Sequence, residues 1–142
     1  MLEATAQDSE RIDYEVRRVA AAFGMLHWEI NDWGGLWMIS GIGERGAQVR
    51  CGIIASDARC MGIRVGNDSG DECEIYEKAP TLWVCRLNPM FNEVMARGLY
   101  RLGFDNKFVL DELNYPLSQH ERAELRLTMP QKFWPTEWST TG

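Results

Sequence analysis

Between residues 25 and 88 the chain alternates apolar and polar side chains in short runs that only brief turns separate. Leu26, Trp28 and Ile30 alternate with His27, Glu29 and Asn31, and the same period of two recurs near 36–41, 47–55, 59–65, 72–77 and 82–88. Turn-rich stretches such as Asp32-Trp33-Gly34-Gly35, Ser56-Asp57-Ala58 and Gly66-Asn67-Asp68-Ser69-Gly70-Asp71 punctuate the runs. Parallel neighbours need a crossover of roughly a dozen residues or more, which these turns do not supply, so the sheet is expected to be an antiparallel meander. Alternation also implies one covered face. Met61, Ile63, Val65, Cys73, Ile75, Trp83, Cys85 and Leu87 are expected inward, and Arg50, Arg64, Glu72 and Glu74 on the other face.

One stretch invites a different reading. GIGERG, from Gly41 to Gly46, has the GxGxxG spacing that cradles a dinucleotide pyrophosphate. That chemistry needs a buried strand before the glycines and a helix after them, so that free N–H groups meet the phosphate. Leu36-Trp37-Met38-Ile39 meets the first condition. The second fails, because Ala47, Val49, Cys51 and Ile53 alternate with Gln48, Arg50 and Gly52, the period of a strand. The glycines are therefore expected to turn a hairpin, and no cofactor is expected.

Helices flank the strands. Asp8 or Ser9 is placed to cap a first helix carrying Ile12, Val16, Val19, Ala20 and Phe23 on one side, with Gly24 closing it. Asn88-Pro89 has the form of an N-cap followed by proline at the first helical position, opening a helix to Gly103 that buries Phe91, Val94, Met95, Leu99 and Leu102. Phe108-Val109-Leu110 reads as a short edge strand. Ser118 and Glu121 form a capping-box pair that starts a final helix through Leu125 and Leu127, and Pro130 ends it. The expected fold is α+β: one domain over 1–142, a sheet of five or six antiparallel strands, a helix before it and two after it, with 129–142 an irregular tail.

The chemistry available to this chain is narrow. No CxxC or HxxxH occurs, and the gaps between Cys51, Cys60, Cys73 and Cys85 do not suit a structural zinc site, so no metal is expected. The acidic turn 67–72 lacks the spaced ligands of an EF-hand. Only His27 and His120 are available as imidazole bases, and no nucleophile elbow or P-loop accompanies them. With 21 acidic against 15 basic residues the formal charge is −6, which disfavours direct contact with nucleic acid. No apolar run is long enough to span a membrane and the first residues are acidic, so a cytosolic protein with reduced thiols is expected.

Six tryptophans in 142 residues point to interfaces as well as core. Trp28, Trp37 and Trp83 fall in strands; Trp134 and Trp138 fall in the tail, where they either fold back on the sheet or project as anchors. The expectation from these features is a non-catalytic protein that occupies a basic or nucleic-acid-binding protein partner, the profile of bacterial immunity proteins and of phage anti-defence proteins such as anti-CRISPRs. Asp68, Asp71, Glu72, Glu74 and Glu77, with Trp134 and Trp138, are the expected contact residues. A chaperone or adaptor, in some cases a homodimer through the 89–103 helix, and a small-ligand protein or enzyme with a tryptophan-lined pocket are the alternatives.

Overall fold

In the computed structural model, which describes residues 6–87 and 91–139, one sheet carries its strands in sequence order. They are β1 (Trp28–Asp32), β2 (Leu36–Ile42), β3 (Gln48–Ile54), β4 (Arg59–Gly66), β5 (Glu72–Ala79), β6 (Leu82–Leu87) and β7 (Phe108–Leu110). Every pairing from β1 to β6 is antiparallel, as the short turns require. The expected hairpin at GIGERG joins β2 to β3: Arg45 at φ 58° and Gly46 at φ 73° turn the chain through one turn of 3-10 helix, Glu44–Gly46.

The sheet has seven strands rather than the expected five or six, and β7 pairs with β6 in parallel. The reason lies in helix placement. Helix α1 (Ala6–Phe23) precedes the sheet, but α2 (Glu93–Arg101) lies between β6 and β7 and supplies the crossover that a parallel neighbour needs. Among the described residues, α3 (Gln119–Thr128) and α4 (Thr136–Ser139) are the helices that follow the sheet.

Local signals explain most helix ends. Asp8 and Ser9, expected as caps, lie inside α1. At its other end Gly24 adopts φ 69° while the Met25 amide donates to the Ala20 carbonyl at 2.8 Å, a glycine C-terminal closure. Asn88 and Pro89, expected to open the next helix, lie outside the described residues; α2 is capped by Asn92, whose side chain accepts from the Met95 amide. The Ser118–Glu121 capping box of α3 forms in both directions.

Helices α1 and α2 pack on each other over one face of the sheet, with α1 across β3 and β4. Gly98 makes the close approach possible, since a Cβ there would stand 2.1 Å from the Phe23 ring. Beneath them Ile39, Val49, Cys51, Ile53, Ile63, Val65, Cys73, Ile75 and Cys85 are buried, together with the Ile12, Val16, Val19 and Phe23 stripe of α1. Met61 is a correction to the expected inward set. A bulge pairs Ile53 with Cys60 and Gly52 with Gly62, so Met61 is the extra residue and turns toward the opposite face, beside Gly52.

The described part of the segment expected as an irregular tail, 129–139, is packed into the core. A 3-10 turn at Gln131–Phe133 and α4 fold it back against β7. Phe133 is buried among Phe91, Phe104 and Phe108 at ring distances of 6.2, 6.4 and 6.2 Å. The Glu137 carboxylate accepts from the Leu110 amide at 3.3 Å, which satisfies part of the outer edge of β7. Pieces this short have no period to read in the sequence.

Candidate binding cleft on the open sheet face

The opposite face of the sheet has no helix on it among the described residues, and register places two rows of side chains there. One row is Asn31, Met38, Gly52, Gly62, Tyr76 and Val84, each paired with the next across neighbouring strands. Gly52 and Gly62 stand directly opposite each other, so the centre of the face has no side chains and sinks. The second row, Glu29, Ser40, Arg50, Arg64, Glu74 and Arg86, runs beside it and is almost entirely polar or charged.

Apolar side chains wall the glycine floor. Trp33 from the β1–β2 turn, Leu36 and Met38 from β2, Met61 from the β4 bulge and Tyr76 from β5 enclose a cleft of about 410 Å³, with Ser40, Arg50, Arg64 and Glu74 along its polar side. Trp33 is 63% exposed, held by a turn in which Gly34 and Gly35 take positive φ and the Asp32 carboxylate accepts from the Gly34 amide. At the far end the 111–115 segment closes the face. Tyr76 Oη donates to Asp111 at 3.3 Å, Arg86 lies 4.3 Å over the Tyr115 ring, and Arg86 also donates to the Tyr115 hydroxyl. Burial, and then the Asp111 carboxylate, hold the Tyr76 phenol above its ordinary pKa, so it stays a donor there.

Charge on this face is unequally matched. Arg64 lies 3.3 Å from Glu74 and 3.8 Å from Glu72, and Arg86 lies 3.4 Å from Glu74. Arg50 stands directly opposite Arg64, is exposed, and has no carboxylate partner among the described residues. Like charges directly opposite each other on a sheet are destabilising. Arg50 is thus a guanidinium held beside an apolar cleft at some cost to the fold.

The residues expected to bind a partner are scattered by the fold. Asp68 and Asp71 are exposed on the β4–β5 turn, with Asp68 accepting from Gln48 at 3.4 Å and the Asp71 amide donating to Asn67. Glu72 and Glu74 share the open face with the cleft but face Arg64 and Arg86. Glu77 points to the helix side of the sheet, its side chain 10% exposed and paired with Arg59. Trp138 is buried and packs edge-on against Trp134 at 5.8 Å, and Trp134 Nε1 donates to the Met129 carbonyl at 2.8 Å. Folding back is therefore the fate of both rings, and neither projects.

Chemistry by side chains is equally dispersed. His27 and His120 are exposed, whereas all four cysteines are buried, and His120 pairs with Glu124 at 3.0 Å. Burial pushes the Cys73 thiol up to about 12 and the Cys85 thiol well above its ordinary value, so both are held as thiols. Among the described residues no group of three His, Cys, Asp or Glu side chains is placed to hold a metal ion, and no helix is long and apolar enough to cross a membrane.

Alternation places Arg50, Arg64 and Glu74 on this face, but it does not reveal the cleft's apolar walls or its glycine floor, although one signal is there. Gly52 and Gly62 both interrupt the middle of a strand, where glycine often marks a bulge or the close approach of a ligand. That they pair with each other depends on register, which alternation alone does not reveal. No protein family, curated protein or solved structure matches the chain.

Proposed function

We propose that this protein acts by binding another protein, with the open sheet face as its docking surface and the glycine-floored cleft as the pocket that receives the partner's anchor. The cleft carries the reading: an exposed apolar depression, rimmed by polar groups, on a face that among the described residues only the 111–115 segment closes, at one end. Its volume admits one or two large side chains. It is a trough open on one side, so a small molecule would stay half wet in it, whereas a protein partner closes the open side itself. Interface energy concentrates in such anchors, typically an aromatic or aliphatic side chain in a desolvated pocket. Arg50 supplies donors at the rim for a carbonyl or carboxylate of the partner.

A basic partner remains favoured, because a net charge of −6 raises its rate of encounter. The contact itself is assigned to the cleft rather than to the acidic hairpin, because Glu72, Glu74 and Glu77 already face arginines of this chain. In this reading the protein works by stoichiometric occupation, as inhibitors of the immunity-protein and anti-defence type do, and an adaptor would use the same surface.

Affinity measurements on a partner captured from the host distinguish the two surfaces. Met38→Glu, which places a charge in the cleft wall, is expected to weaken binding at least tenfold, with Asp68→Asn/Asp71→Asn within about twofold of the parent. The reverse pattern would return the contact to the acidic turn.

A further inference from the structure

We propose that Cys51 and Cys60 are a modification site: a thiol pair that a peroxide converts to a disulfide and a thiol reductant restores. Their sulfurs lie 2.8 Å apart in the buried layer beneath α1, about 0.8 Å beyond the length of a sulfur–sulfur bond. The sequence places them on adjacent strands but not opposite each other, since Cys51 pairs with Ile63 and Cys60 with Ile53. The bulge at Met61 brings them together by shifting the register between Gly52 and Ile53. The Glu15 carboxylate, itself buried, accepts from the Cys60 amide at 3.3 Å and fixes that strand beneath the helix.

The chain contains its own control. Cys73 and Cys85 also lie on adjacent strands, with Cys85 opposite Ile75 and Cys73 opposite Leu87. Cys73 Sγ instead lies 3.7 Å from the Val65 carbonyl and 3.7 Å from Asn92 Nδ2. Both of those thiols are deeply buried. Cys51 is buried as deeply, but Cys60 borders a groove of about 490 Å³ lined by Glu15, Arg18, Arg59, Glu77 and Trp83, which is the oxidant's route in this proposal.

The step balances with hydrogen peroxide as oxidant. The Cys60 thiolate attacks one peroxide oxygen, the O–O bond breaks, and hydroxide leaves, giving a sulfenic acid at Cys60. The Cys51 thiol, which its hydrogen bond to Cys60 and its burial hold protonated, then attacks Cys60 Sγ, forming the S–S bond while its proton leaves with the second hydroxide as water. Two electrons pass from the sulfurs to the peroxide, and the two thiol protons end in two molecules of water. The bond would lie directly behind the cleft floor, because Cys51 precedes Gly52 and Cys60 precedes Met61.

The test is peptide mapping of the folded wild-type protein after exposure to hydrogen peroxide, with free thiols blocked before digestion. The expected result is a fall from four free thiols to two, a cross-link joining the Cys51 and Cys60 peptides, unmodified Cys73 and Cys85, and recovery of all four with dithiothreitol. Cys60→Ser is expected to abolish the cross-link. Retention of four thiols, irreversible oxidation of Cys60 with Cys51 left free, or a bond between Cys73 and Cys85 would each overturn the proposal.

Discussion

On the face beneath α1 and α2 the strands present Ile39, Val49, Ile53, Ile63, Val65 and Ile75, all buried, whereas the face behind them presents Met38, Gly52, Gly62, Arg50, Arg64 and Glu74. The same strands build both, because successive side chains point to opposite sides of a sheet. On the covered face branched aliphatics interlock with helices, and volume is conserved closely enough that even Gly98 is fixed by the Phe23 ring against it. On the open face two glycines face each other and two arginines face each other, which neither packing nor electrostatics favours. Residues that a fold does not need, kept together around a depression, are what a binding surface requires. In the proposed reading, stability belongs to one face and recognition to the other.

That division is broken most severely from the core side. Phe133→Ala removes a buried ring packed among Phe91, Phe104 and Phe108, and is expected to cost about 3–5 kcal/mol in denaturant unfolding. A loss under about 1 kcal/mol would mean that the C-terminal segment is not part of the cooperative core. Gly98→Ala is next, because its Cβ would stand 2.1 Å from a ring that is itself fully buried. Moving α1 from α2 to relieve that overlap is expected to cost about 1–3 kcal/mol, read as a lower unfolding midpoint.

A smaller effect comes from Glu44, at the β2–β3 turn and between the two layers. Its carboxylate accepts from Arg97 at 2.8 Å and from Arg101 at 3.3 Å, and these arginines hold its pKa below the ordinary 4.5. A depressed carboxylate stabilises the fold above its unfolded value, and that stability is lost as pH falls through the lower folded value. Glu44→Gln is therefore expected to cost under about 1 kcal/mol at neutral pH, the pair being partly solvated, and to reduce the loss of stability between pH 5 and pH 2. Equal acid sensitivity in both proteins would show that the turn is not held by these charges.

How much of this was legible in the sequence follows the range of each interaction. Period-two alternation placed β1 to β6 and the capping residues placed α3, because both are written within a few neighbouring residues. The parallel pairing of β7 was hidden, since it depends on where α2 carries the chain. Leu26 and Ile30 share an apolar alternation but are exposed: Leu26 lies before β1 begins, and Ile30 is on the edge strand while α1 lies across β3 and β4. Likewise Leu127 is exposed while Leu125 is buried on the same helix. The cleft and the Cys51–Cys60 pair both depend on one bulge at Met61, which the mid-strand glycines hint at without fixing the register shift. The acidic residues were visible, but their arginine partners come from other strands.

A matched pair of methionines tests the division between faces most directly. Met95 is a fully buried residue of α2 on the covered side and Met38 walls the cleft, so Met95→Ala and Met38→Ala remove the same atoms from the two sides. The measurement is the free energy of unfolding of each variant, together with the dissociation constant of the captured partner under conditions where both are folded. The expected result is a loss of about 2–5 kcal/mol for Met95→Ala with unchanged affinity, and for Met38→Ala a loss under about 1 kcal/mol with affinity weakened about tenfold. Unchanged affinity for Met38→Ala, or a comparable loss of stability in both variants, would contradict the account.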